Sequence, residues 1–116
     1  MIFHLVSKAN WQNAIRSGSY EPPTLKTEGF VHCSTRGQTA DTANRLFRGR
    51  ADLVLLCIDP ARVAPEVRFE APTDPADPRA HELFPHVYGP IKLDAVTQVI
   101  EFPCDAHGSF RLPDGL

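Results

Sequence analysis

The sequence has no apolar run long enough to cross a bilayer. Its longest goes from Leu53 to Ile58, and a spanning helix needs about 20 residues. It begins Met1-Ile2-Phe3-His4, with no charged lead and no small-residue cleavage site. No signal peptide is therefore expected, and the cytoplasm is the expected compartment. Block basicity is also missing: the net charge is -2, which gives non-specific nucleic-acid binding little electrostatic support. Arg45, Arg48 and Arg50 are the one local basic cluster, and a solvated helix end explains it as well as an anion site does. Cysteines number three, at 33, 57 and 104. The count is odd and the spacings fit no zinc motif, which suits a reducing compartment. There is no glycine-rich phosphate loop and no H-x-x-x-H ligand pair. Internal repeats and low-complexity tracts are absent too.

What remains has the balance of an ordinary domain. Hydrophobic residues make up 42% and charged residues 22% of 116, which excludes wholesale disorder and limits the chain to a single domain, residues 1–116. The expected core covers about 2–102, followed by a polar tail at 103–116. Ile2 to Val6 reads as a strand. Ser7 is a helix cap, Lys8 to Ser17 a helix, and Gly18 its stop. Tyr20-Glu21-Pro22-Pro23-Thr24 reads as an extended loop. Phe30 to Ser34 is the second strand, and Gln38 to Phe47 a helix with Ala40, Ala43, Leu46 and Phe47 on one face. Leu53 to Ile58 is a strand covered on both faces. Val67 to Glu70 and Phe84 to Tyr88 are extended, and Ala95 to Phe102 is a last strand. The proline-rich stretch Ala71 to Arg79 is expected to be a mobile loop. The tail either adds an edge strand at Phe110 to Leu112 or frays. Two helices in the N-terminal half and five or so strands, without regular alternation, predict an α+β fold with a small twisted, mainly antiparallel sheet.

Strand geometry sorts the polar residues. Side chains alternate between faces, so His4 goes with Ile2 and Val6. His32 goes with Phe30 and Ser34, while Val31 and Cys33 point to the other side. If these strands pair, His4 and His32 line one cleft with Ser34 beyond them. The bland alternative is a histidine that makes one structural hydrogen bond. Ser34-Thr35-Arg36-Gly37 leads toward a helix and either holds an anion or simply caps that helix. Phe84-Pro85-His86-Val87-Tyr88-Gly89-Pro90 sets His86 and Tyr88 on one side of a stiff segment, where they read a small ligand or pack as an edge strand. Glu70, Glu82 and Glu101 are carboxylates suited to steadying a cation or holding a ribose hydroxyl, or to plain solvation. Cys33 is a poor nucleophile, because its neighbour His32 faces away from it. His4, His32 and His86 are the residues a catalytic zinc would use, but no ligand spacing supports one and no metal is expected.

His4, Trp11, the run Gly29-Phe30-Val31-His32-Cys33-Ser34-Thr35, Gln38, Ala43-Asn44, Glu70 and the run from Phe84 to Pro90 resemble a bacterial family, domain of unknown function 952. The resemblance extends from Ile2 to about Phe102. That family's pattern is in turn similar to the ADP-ribosyltransferase superfamily, which includes RNA 2′-phosphotransferases. The analogy is at the level of fold. It implies an ADP-ribosyltransferase-like fold, NAD as cofactor and a transferase activity. His4 and His32 would contact the dinucleotide, Ser34, Thr35 and Tyr88 would bind it, and Glu70 or His86 would fill the position of the superfamily's glutamate. Two other readings stand beside this one: a non-catalytic module for a nucleotide or small phosphorylated ligand, and a histidine-based metal enzyme.

Overall fold

The computed structural model describes residues 1–116. Strand β1 (Ile2–Ser7) leads into helix α1 (Lys8–Ser17). Ser7 caps that helix by accepting from the Asn10 N–H, and Gly18 closes it with φ 88°. Strand β2 (Ser19–Tyr20) is short, and helix α2 (Pro23–Glu28) follows. Tyr20 to Pro22 are extended as expected, but this helix takes Pro23 and Thr24 from the loop expected at 20–24. Pro23 sits in the first turn, where its missing N–H has no helical partner to lose, and Gly29 ends the helix with φ 85°. Strand β3 (Val31–His32) and helix α3 (Thr39–Leu46) come next. The chain thus has three helices in its first half rather than two.

Strand β4 (Leu53–Ile58) is buried along its whole length. Strands β5 (Val67–Glu70), β6 (Phe84–Val87), β7 (Ile91–Lys92) and β8 (Val96–Glu101) complete the chain. They form two three-stranded antiparallel sheets, β1-β4-β8 and β3-β6-β5, and a short β2-β7 pair. The fold is α+β, and its strands make two larger sheets where one was expected. One backbone bridge joins those two sheets, Phe3 with Ser34.

Strand β4 is covered on both faces because two cores flank its sheet. Ile2, Val6, Leu56 and Ile58 pack with Val31, Cys33 and Val87 on one side. Phe3, Leu53, Leu55 and Cys57 pack with Ala43, Phe102 and Phe110 on the other. The last strand does not alternate simply along its length. Its register slips between Cys57 and Ile58, so Val96 reaches the first core while Ile100 reaches the second. Such a bulge reverses the facing of later side chains.

The tail adds no strand and does not fray. Phe110 is buried and stacks on Phe102 at 5.3 Å. Asn44 clamps its backbone, accepting from the Phe110 N–H at 2.7 Å and donating to its carbonyl at 3.0 Å. The loop expected to be mobile is tied down as well. Arg79 donates to both Asp77 oxygens and to Thr42 Oγ1 at 2.8 Å, and lies 4.7 Å over the Phe84 ring. Gly89 matters for space: a Cβ there would lie 2.8 Å from the Pro65 ring. Gly89→Ala is expected to lose about 2 kcal/mol by overpacking, read as a lower midpoint in urea. An unchanged midpoint would show that this turn yields freely.

Candidate functional site

The two larger sheets part just beyond the Phe3–Ser34 bridge, and a cleft of about 510 Å³ opens there. The parting follows from backbone geometry. Phe3 and Ser34 exchange two hydrogen bonds, 2.9 and 2.8 Å. In an antiparallel ladder both backbone groups of a residue point to the same side, and successive residues alternate. A continuing ladder would therefore offer the His32 carbonyl to the Leu5 N–H. His4 Nδ1 takes that carbonyl instead, at 2.5 Å. The Leu5 N–H and C=O are left facing the cleft, away from β4.

His4 is held at both ring nitrogens. A carbonyl only accepts, so Nδ1 carries the proton. Nε2 then accepts from the Tyr20 hydroxyl at 2.6 Å. Burial pushes the His4 pKa down to about 4 and pushes the Tyr20 hydroxyl well above its ordinary range. His4 is consequently a neutral clip that joins β1, β2 and β3.

His32 lines the cleft and is the more available imidazole. Its Nε2 donates to Glu28 Oε2 at 2.7 Å, and its side chain is 40% exposed. The same contact holds the Glu28 carboxyl below its usual range. No protein group bonds His32 Nδ1, and that atom is not a buried orphan, so solvent reaches it. A carboxylate on one imidazole nitrogen leaves the other as a base of fixed tautomer. Ser34 also lines the cleft, with its hydroxyl on Thr42 Oγ1 at 3.4 Å.

Glu70, His86 and Tyr88 form a second group on the same face of the β3-β6-β5 sheet as His32. Glu70 Oε1 accepts from the Tyr88 hydroxyl and from His86 Nδ1 at 2.9 Å. Those bonds hold the Glu70 carboxyl below its ordinary range, Tyr88 contributing most. Burial lowers the His86 pKa. The His86 ring stacks on Phe30 at 4.1 Å and meets the His32 ring edge-on at 5.4 Å. None of these three residues lines the cleft.

Thr35 also stands outside the cleft lining, with its N–H on Gln38 Oε1 at 3.0 Å and its carbonyl on the Thr39 hydroxyl. That is a helix-entry arrangement. Cys33 packs in the core, and burial raises its thiol to about 12. His4, His32 and His86 do not make a group able to hold a metal ion.

Sequence reasoning did not find Tyr20, Glu28, Thr42 or Arg79. Glu28 had one usable signal, its i,i+4 spacing from His32, hidden by the helix end at Gly29. Tyr20 and Arg79 had none, since their partners lie far along the chain.

No helix is long and apolar enough to cross a membrane. No curated protein matches the chain. Among solved structures, it resembles the crystal structure of protein CC0527 from Caulobacter crescentus. The two are 32% identical, the match covers 96% of this chain and 93% of that one, and the TM-score is 0.83. The solution NMR structure of CC0527 is similar too, at 32% identity, 99% and 95% coverage and a TM-score of 0.77. The pattern of the family described as "Protein of unknown function (DUF952)" matches residues 5–99. This chain belongs to that family.

Proposed function

We propose that the cleft binds a nicotinamide dinucleotide and that the protein is an NAD-using transferase. The observation that carries this reading is the free strand edge at Leu5. It presents one donor and one acceptor side by side, the complement of a carboxamide. The cleft volume, about 510 Å³, falls within the range of small-molecule sites. Apolar walls from Phe3, Leu46, Phe47 and Phe84 and the Ser34 and Thr42 hydroxyls suit a ring-and-ribose ligand. NAD, when bound, supplies a ribosyl carbon with nicotinamide as its leaving group.

The roles divide among this chain's own residues. Leu5 grips the carboxamide through its backbone. His32, oriented by Glu28, takes the proton of the acceptor hydroxyl at Nδ1. Ser34 holds ribose. His4 clips β1 to β2 and β3; it lines the cleft, but with both nitrogens engaged it offers a ligand only its ring surface. His86, held by Glu70, braces the His32 side of the site through its ring contact.

A second reading, binding without turnover, is favoured by one fact: Glu70 is tied to His86 and Tyr88 and does not line the cleft, whose carboxylates are Asp74 and the arginine-paired Asp77. Titration calorimetry with NAD, followed by a nicotinamide-release assay, separates the two. Saturable heat with release supports the transferase, and heat without release supports the binding module. No heat with NAD or NADP overturns both. The Leu5 grip makes a finer prediction. The analogue with a carboxylate in place of the carboxamide lacks the donor that the Leu5 carbonyl needs, and is expected to bind at least about tenfold more weakly. Equal affinity in calorimetry would remove Leu5 from the account.

A further inference from the structure

We propose that the outer edge of β5 is a self-association surface on which a second copy of this chain pairs antiparallel about Phe69. Strand β5 ends its sheet, with β6 on one side only. Backbone parity shows which groups are free. Tyr88 N–H bonds the Glu66 carbonyl, and the Pro85 carbonyl is taken by Cys33 N–H from the other side. Arg68 faces His86 and Phe69 faces Pro85 in register. Glu66, Arg68 and Glu70 therefore direct their backbone groups to β6, while Val67 and Phe69 direct theirs outward.

An exposed strand edge is a template for pairing, and charge or proline at its centre is the usual protection. Here the two central residues are Arg68, whose backbone faces β6 and whose side chain bonds Glu66, and Phe69, 54% exposed, which carries the outward backbone groups. The flanking sequence is self-complementary. A two-fold axis through Phe69 sets Phe69 opposite the partner's Phe69, with both of their free backbone groups in mutual hydrogen bonds. It sets Arg68 opposite the partner's Glu70, and Glu70 opposite the partner's Arg68. Such a contact is isologous and closes on itself. It joins the two β3-β6-β5 sheets edge to edge. The Phe69 side continues the core-facing surface of Val31 and Val87, and the Arg68 side continues the polar face that carries His32, His86 and Glu70.

The test is sedimentation of the full chain at sub-millimolar concentration, with variants at the axis. The wild type is expected at twice its 12.9 kDa chain mass. Phe69→Lys is expected to be monomeric with an unchanged far-UV spectrum. Phe69→Pro removes only an outward N–H, a substitution that edge strands tolerate, and is expected to be monomeric too. Phe69→Cys is expected to form an intermolecular disulfide, since the two Cα atoms would lie about 5.5 Å apart. Val67→Cys is not, because its two copies would be about 13 Å apart along the strands. A monomeric wild type, a dimer that persists in folded Phe69→Lys, or cross-linking as ready at Val67 as at Phe69 would overturn the proposal.

Discussion

Lowering the pH from 7 to 4 is expected to remove about 3 kcal/mol of folding stability through His4 alone. The His4 pKa falls to about 4 in the folded chain from an ordinary 6.5. The unfolded chain therefore binds the proton first as the pH drops. Stability from this group is complete above 6.5, declines between 6.5 and 4, and is flat below. The cause is desolvation: packing against β2 and β3 strips most of the water that a charged ring would need. Urea unfolding at a series of pH values measures the slope. His4→Gln, which cannot titrate, is expected to flatten that segment of the curve. A His4 ring that titrates near 6.5 by NMR would contradict the neutral-clip assignment. The carboxylates held low by partners, Glu28, Glu70 and Asp77 among them, lose their contributions in a more acidic window.

His32→Ala is expected to lower nicotinamide release by about 10² to 10⁴-fold, the range for removing a positioned acid–base group. Dinucleotide affinity should change far less, because the grip is assigned to Leu5 and Ser34. Glu28→Gln tests the positioning role separately. Its amide still contacts the ring but does not fix the same tautomer, so the pH–rate profile is expected to shift while affinity holds. His86 and Phe30 pack on the His32 ring, so the thermal midpoint of each variant must be read alongside its rate. An unchanged release rate in folded His32→Ala would remove the acid–base assignment.

The parts of this fold that follow local rules were legible in the sequence. Ser7 and Gly18 bracket α1 where capping chemistry puts them. The unbroken apolar run at 53–58 marks a strand covered on both faces. Alternation correctly separated His32 and Ser34 from Val31 and Cys33, because the strand period holds over even two paired residues. The α2 helix was not legible, since Pro22-Pro23 reads equally as a loop or as a helix start. Long-range pairing was hidden as well. The contact of Tyr20 with His4 depends on where two-residue β2 docks, and that of Glu70 with His86 and Tyr88 on the β5-β6 register. No local signal specifies either. The cleft itself arises from a ladder that stops, because a side chain captures the carbonyl its next rung would need.

The most direct test of the account follows the backbone amides of the ¹⁵N-labelled protein by NMR as NAD is added. The Leu5 amide, with no internal partner, is expected to show the largest saturable shift, accompanied by smaller shifts at Ser34 and in the His32 ring. A titration to millimolar NAD that leaves Leu5 unmoved, or that moves only residues outside the cleft, would contradict the assignment of this cleft to a nicotinamide dinucleotide.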